Sequence, residues 1–289
     1  MAWFKGLLSV CFILVNTIVI CVPLYAMALL RLPLAGSARR ALTRRMDFAI
    51  DFWVSCNRYL IRALRLVDLE VDWRGEPLSR QHWYAVVCNH QSWADILLLQ
   101  EAFRSAIPPL KFFTKRELIW LPLAGPAMYV LGFPYVRRVG KAELAANPAL
   151  KNADRNSTLA ACEVFRNHPT SVLIFLEGTR FTDAKRLARN SRFENLLNPR
   201  TGGLGYVLSG LRDEVRTLID VTIAYPEGAP SFWDFLAGRC PQARMTVQAL
   251  DLKPEIRSGE PGIQRQALQP FVENLWRAKD QRLGACAPT

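Results

Sequence analysis

The stretch AVVCNHQSWADILLLQ, residues 85–100, decides how the chain is read. Up to Asn89 it has the short apolar run of a buried strand, and from Trp93 the longer apolar pattern of a helix. A strand that passes to a helix across so few residues points to an α/β fold. Ser92-Trp93-Ala94-Asp95 has the S-x-x-D form of a capping box, which places the helix start there. His90 and Asp95 then flank the turn. On a continuous helix residues five apart would sit about 140° from each other, so the pair can meet only if the strand ends at Asn89 and His90 lies in the turn.

If they meet, the Asp95 carboxylate can fix the tautomer of the imidazole and leave its other nitrogen free to take a proton from a hydroxyl. The bland reading of Asp95, a helix cap, rests on the same residues. Cys88 shares a strand face with His90 and carries a thiol, but it reads as a small buried strand residue. His82, in SRQHW, and His168, in RNHPT, stand in polar and turn-like contexts and read as surface residues.

Outward from this stretch, the pattern continues as short apolar runs separated by helical segments. Strands are expected at 84–89, 134–138, 171–176, 219–225 and 244–250, and helices at 93–103, 115–131, 153–167, 202–211 and 263–283. The expectation is one α/β domain over 71–289, with no internal repeat. Towards the N-terminus the composition differs. From Gly6 to Leu30 there is no charged residue, a length that suffices to cross a bilayer, whereas Lys5 alone precedes it and Arg31, Arg39, Arg40, Arg44 and Arg45 follow it. A signal peptide, with Ala26 and Ala28 as a cleavage site, and a buried helix are the alternatives; the run exceeds the usual signal core. Residues 43–66 mix Phe48, Phe52, Trp53 and Tyr59 with arginines, as a basic interfacial helix or a helix packed on the domain would. Residues 1–70 are therefore expected to anchor the chain in the inner or cytoplasmic membrane, with the rest on the cytoplasmic side.

The chain has 289 residues, of which 37 are Lys or Arg and 25 Asp or Glu, for a net charge of +12. That excess favours an anionic neighbour, such as a membrane surface, a nucleic acid or an acidic substrate. Nothing resembles a nucleic-acid recognition motif, so no nucleic-acid partner is expected. Seven cysteines without paired spacing argue against a disulfide framework or a zinc site.

A second run, SVLIFLEGTRFTDAK, ends a strand at Leu176 and delivers Glu177, Gly178, Thr179 and Arg180 to a turn, where α/β sheets tend to bind ligands. Arg180 offers a planar fork for a phosphate, Thr179 a hydroxyl, Gly178 a close backbone approach, and Glu177 an acceptor for glycerol-like hydroxyls. In isolation it could equally be a solvated turn.

NHQSWAD followed by FLEGTR closely resembles the 1-acylglycerol-3-phosphate acyltransferases. The NHxxxxD motif of that family falls on Asn89, His90 and Asp95, and its FxEGTR motif on Phe175, Glu177, Gly178, Thr179 and Arg180. A G-x-x-[FYI]-[IV]-x-R motif matches Gly132, Tyr135, Val136 and Arg138. The fourth motif departs: Asp220 stands before the strand residues where proline is usual, as in the branch reading DVT with EGTRFT and KFFTKREL. The resemblance covers roughly residues 75–285.

The resemblance implies a glycerolipid acyltransferase fold, with a mostly parallel or mixed sheet flanked by helices. It implies acyl transfer from acyl-CoA or acyl carrier protein to the sn-2 hydroxyl of a lysophospholipid, lysophosphatidic acid first, without metal or cofactor. His90 would be the base and Asp95 its orienter, with backbone donors near the turn for the oxyanion. Arg180 and Arg138 would grip the acceptor's phosphate, helped by Lys115 and Glu177. Another lysophospholipid or aminolipid acceptor, and a non-catalytic lipid-binding protein, are the rivals. The apolar segment 118–133 is expected to wall an acyl tunnel, dip into the membrane or serve as plain core.

Overall fold

A computed structural model describes residues 1–136, 153–257 and 261–286. Three helices come first, α1 (Ala2–Arg31), α2 (Gly36–Met46) and α3 (Phe48–Ala63). The remainder is built, among the described residues, on eight strands: β1 (Asp68–Arg74), β2 (Trp83–Cys88), β3 (Leu110–Phe112), β4 (Thr114–Lys115), β5 (Tyr135–Val136), β6 (Ser171–Phe175), β7 (Val215–Ala224) and β8 (Gln242–Asp251). Six of them form one mixed sheet in the order β1-β8-β7-β2-β6-β3, and β4 pairs with β5 separately. Only β7 and β8 run antiparallel.

Strand β2 sits inside the sheet, parallel to β6 on one side and β7 on the other. It is buried on both faces, which is why it reads as a continuous apolar run. Val86 and Cys88 face a core shared with α4 (Ala94–Phe103) and with Leu60 and Ile61 of α3. Ala85 and Val87 face the opposite core, against α6 (Ala153–Phe165), α8 (Gly202–Leu211) and the long α11 (Pro261–Ala285). The result is a helix–sheet–helix sandwich, and α3 belongs to its core. Between α8 and α11 lie α9 (Phe232–Leu236) and the short α10 (Pro254–Arg257). The FTDAK segment forms α7 (Asp183–Ala188).

Three expectations change. The helix at 115–131 divides into a 3-10 turn at Arg116–Trp120 and α5 (Ala124–Val130). Pro122 lacks an N–H and pushes Leu121 to an extended ψ of 118°, which ends the first piece. The helix at 43–66 also divides, at Asp47, whose carboxylate is buried against Lys111 Nζ at 3.0 Å and His168 Nε2 at 2.8 Å. His168 is therefore not a surface residue: it is 6% exposed, and Lys111 beside it is 1% exposed. Burial alone would raise the Asp47 carboxyl, but Lys111 and His168 hold it below its ordinary value. Finally, β1 and β3 lacked any sequence signal, since β1 is a charge-rich edge strand and β3 is three residues long.

Helix α1 is docked rather than free-standing. Lys5 Nζ donates to Leu64 O at 3.0 Å, Ser9 Oγ to Leu236 O at 3.0 Å, and Asn16 Nδ2 to Asn57 Oδ1 at 3.1 Å. Its opposite side exposes Trp3, Phe4, Leu7, Leu14, Ile18, Val22 and Leu29. Among the described residues it is the one helix long and apolar enough to cross a membrane.

Candidate active site

Cys88 and Phe175 are register partners in the β2–β6 ladder, so the two motifs leave the sheet side by side and level. The Asn89 carboxamide prolongs the other ladder: its Nδ2 donates to Ile223 O at 2.8 Å and its Oδ1 accepts from Ile223 N at 2.9 Å. It thus does for β2 and β7 what one more peptide unit would do, and holds the turn that carries His90.

His90 and Asp95 meet as the sequence suggested. Nδ1 of His90 lies 2.8 Å from Asp95 Oδ2, and that same oxygen accepts the N–H groups of Gln91 at 2.7 Å and Ser92 at 2.9 Å. The expected capping box does not form: the N-cap is Trp93, without a side-chain cap, and Asp95 instead ties the turn before it. The other oxygen, Oδ1, accepts from the Tyr225 hydroxyl at 2.6 Å. Asp95 is fully buried, and its charge is spread over four donors. Tyr225 keeps its proton, because burial and then the neighbouring Asp95 push its phenol well above the ordinary value. The His90 ring stacks on Phe175, with centroids 4.0 Å apart and an 18° interplanar angle. With Nδ1 engaged, Nε2 is the nitrogen left to handle a proton.

Glu177 differs from its expected role. It is fully buried, and its two oxygens accept backbone N–H groups, Oε1 from His90 and Oε2 from Leu197, both at 2.8 Å. A carboxylate so occupied is a strut between turns, not a contact for acceptor hydroxyls. Burial raises its carboxyl to about 7 despite those two bonds, which pull the other way. The N–H groups of His90, Gln91 and Ser92 are thereby all committed to Glu177 and Asp95. The turn's own backbone donors are not free for an oxyanion.

Beyond Glu177 the chain turns through Gly178, at φ +68°, the left-handed conformation that glycine adopts without strain. Thr179 and Arg180 emerge from this turn. Arg180 is exposed, lies over the Trp93 ring with its Cζ 5.1 Å from the centroid, and pairs with no carboxylate among the described residues. Lys185, which the sequence reading missed, reaches back from α7 to Thr179 Oγ1 at 3.1 Å and to Arg180 O at 2.8 Å. Partial burial and then the charges of Arg180, Arg189 and Lys115 lower its ammonium from the usual value. Lys115 lies on β4, paired with the Tyr135–Val136 strand of the third motif. Arg138 lies outside the described residues. Tyr225 and Lys185 carried a weak signal: one closes the expected strand at 219–225, and the other falls one turn past the EGTR loop.

Three other expectations are resolved by packing. Burial raises the Cys88 thiol well above its ordinary value, so it is an inert core residue. Asp220 lies within the sandwich, its carboxylate 2.8 Å from Lys279 Nζ and 3.2 Å from Arg282 Nη2. The departure of the fourth motif is thus a buried ion cluster against α11. Segment 118–133 walls an apolar cavity of about 180 Å³, which α1, α3 and α4 complete.

The comparisons with known proteins follow this geometry. The sequence profile of the Acyltransferase family matches residues 70–226. Lysocardiolipin acyltransferase 1 of Gallus gallus is 26% identical over 212 residues, 68% of this chain and 52% of that protein. 1-acyl-sn-glycerol-3-phosphate acyltransferase 2 of Brassica napus is 31% identical over 159 residues, 50% of this chain and 37% of that protein. The crystal structure of the 1-acyl-sn-glycerophosphate (LPA) acyltransferase PlsC from Thermotoga maritima superposes with a TM-score of 0.52 at 18% identity, covering 95% of this chain and 98% of that one, a likeness of fold. The chain spans about half the length of the first curated relatives it matches. Since the profile runs from within β1 to the end of β7, more than half of the chain, and takes in the turn that carries His90 and Asp95, the chain belongs to the Acyltransferase family.

Proposed function

We propose that the chain moves an acyl group from a thioester, acyl-CoA or acyl carrier protein, to the free hydroxyl of a lysophospholipid, with lysophosphatidic acid as the first acceptor. The observation that carries the reading is an oriented His90–Asp95 pair, with Asp95 buried, beside Arg180, which pairs with no carboxylate among the described residues, and its cationic neighbours Lys185 and Lys115. In this reading a base stands beside a phosphate grip, and Ile96 and Gln100, on the same helix as Asp95, line an apolar cavity.

In this reading His90 Nε2 takes the proton of the sn-2 hydroxyl as its oxygen attacks the thioester carbonyl. The tetrahedral intermediate collapses, the C–S bond breaks, and the imidazolium returns its proton to the leaving thiolate. Asp95 stabilises the imidazolium, and Arg180 fixes the acceptor so that its hydroxyl faces His90. The route asks for no metal or cofactor.

The exposed apolar side of α1, followed by exposed Arg39, Arg40, Arg44 and Arg45 on α2, supports a membrane-facing edge. The arginines would meet anionic headgroups on the cytoplasmic leaflet. A second acceptor, lysocardiolipin, is favoured by the similarity to proteins of that name. Release of CoA thiol, measured with lysophosphatidic acid and lysocardiolipin in separate assays, tests both. Thiol release with neither acceptor would dismiss the proposal.

A further inference from the structure

The turn after β6 gathers more positive charge than one phosphate can answer. Arg180 lies over the Trp93 ring, and Lys185 Nζ donates to Thr179 Oγ1 at 3.1 Å and to Arg180 O at 2.8 Å. On the earlier half of the turn, Arg189 Nη1 donates to Glu177 O at 3.4 Å. Arg200 lies against Gly178, where a Cβ built on the glycine would stand 3.8 Å from the Arg200 Cδ and 4.0 Å from its Nη1. The Arg200 N–H donates to Leu176 O at 2.8 Å, which fixes the root of that side chain beside the turn.

None of these four cations pairs with a carboxylate among the described residues, whereas two of their neighbours do: Arg186 has Asp183 at 3.6 Å and Arg192 has Glu273 at 3.1 Å. The Glu177 carboxylate of the turn itself is turned inward and committed to two N–H groups. Arg180, Arg189 and Arg200 are exposed. Cations gathered on one turn without a counter-charge repel one another, and a bound anion removes that cost. Partial burial first, and then the charges of Arg180 and Arg189, lower the Lys185 ammonium, so the crowding is felt there.

The acceptor's phosphate answers only part of this set. In lysophosphatidic acid the phosphate stands a few bonds from the sn-2 hydroxyl, so it must fall close to His90. Arg180 is the cation on that side: its ring partner Trp93 caps α4, the helix of Asp95, and Phe181 N donates to His90 O at 2.7 Å. A phosphate monoester carries about −1.5 to −2 charge at pH 7, which Arg180 and Lys185 match. Arg189 and Arg200, at the peptide between residues 177 and 178, are then left without an anion.

We infer that Arg189 and Arg200 form a second phosphate subsite, separate from the one at Arg180, for a further phosphate of a substrate that reacts at His90. The inference rests on the acyltransferase reading above. That phosphate has two sources: the pyrophosphate-bearing CoA part of a thioester donor, or the second phosphate of an acceptor that carries two.

The test uses the full chain in detergent micelles and the Arg189→Gln/Arg200→Gln double variant, or each single variant should the double one fail to fold. In the donor arm acyl-CoA is varied at saturating lysophosphatidic acid. In the acceptor arm lysocardiolipin or lysophosphatidic acid is varied at saturating acyl-CoA. KM should rise roughly tenfold or more for acyl-CoA if the phosphate is the donor's, and for lysocardiolipin if it is the acceptor's, the scale of a lost hydrogen bond to a charged group. KM for lysophosphatidic acid should move by less than about twofold. No rise for either acyl-CoA or lysocardiolipin, or an equal rise for lysophosphatidic acid, overturns the inference. Binding of inorganic pyrophosphate, read by titration calorimetry, decides the matter apart from catalysis. It should persist in Arg180→Ala and weaken by about tenfold when Arg189 and Arg200 are replaced as well. Should no acyl transfer occur with any acceptor, the functional reading fails, yet this loss would still uphold the subsite. Pyrophosphate binding that is absent, or indifferent to Arg189 and Arg200, would then overturn it.

Discussion

Glu177 accepts the backbone N–H of His90 at 2.8 Å and Phe181 N donates to His90 O at 2.7 Å, so beyond the sheet the turn that carries His90 is fastened to the turn that carries Arg180 by a buried carboxylate as well as by backbone. The same side chain reaches Leu197 with its second oxygen. Two loops and the segment before α8 are thus fixed by one buried group.

A pH dependence follows from that burial. The carboxyl rises from 4.5 to about 7 in the folded protein, so the folded state holds more protons than the unfolded one in that interval. Stability should fall as pH rises from 4.5 through about 7, and Glu177→Gln should lack this slope. Thermal unfolding of both proteins across that range is the check. Since an amide can accept from only one of the two N–H groups, the variant should also lose activity.

His90→Ala should lower kcat by at least about 10²-fold, the scale of a lost general base, while leaving the unfolding temperature close to wild type. Steady-state kinetics with circular dichroism separates this from a folding defect. Near-normal turnover in a folded variant would remove His90 from the chemistry.

Tyr225→Phe strands Asp95 Oδ1 in the core, a loss of about 1–3 kcal/mol in stability. The hydroxyl also draws charge from Asp95, so without it the carboxylate favours the imidazolium more strongly. The acid limb of the kcat/KM profile should therefore move to higher pH, and an unmoved limb would make Tyr225 purely structural.

Arg180→Ala should raise KM for a phosphate-bearing acceptor by roughly tenfold or more with little change in KM for acyl-CoA. Arg180→Lys should restore only part of this, because the ammonium lacks the planar fork and the stacking on Trp93. Equal effects on both substrates would show that Arg180 does not discriminate between them.

Asp47→Ala leaves Lys111 buried without its counter-charge and should cost about 3–5 kcal/mol, read by chemical denaturation. Removing the neighbouring exposed Arg44 should change stability far less. A mild effect of Asp47→Ala would mean that Lys111 finds water.

What the sequence disclosed was governed by local rules. The passage from β2 to α4 was legible because period and turn both lie within 85–100, and the pairing of His90 with Asp95 followed from one geometric argument. The cationic turn at Arg180 was legible from the residue types in EGTR. What escaped depended on distant partners. His168 is buried only because Asp47, 121 positions away in sequence, turns towards it. Glu177 points into the protein because Leu197 offers an N–H there, which no pattern around 177 encodes. Residues 115–131 carried helical apolarity, but Pro122 overrode it, a signal visible in the sequence and underweighted.

Helix α1 supplies Thr17, Ile20, Cys21 and Leu24 to one side of the cavity that α4 lines from the other. Trimming the N-terminus to obtain a more tractable preparation would therefore open that compartment to solvent. A shortened chain of this kind would lose one wall of the apolar cavity, so handling in detergent and the closure of that cavity are bound to the same thirty residues.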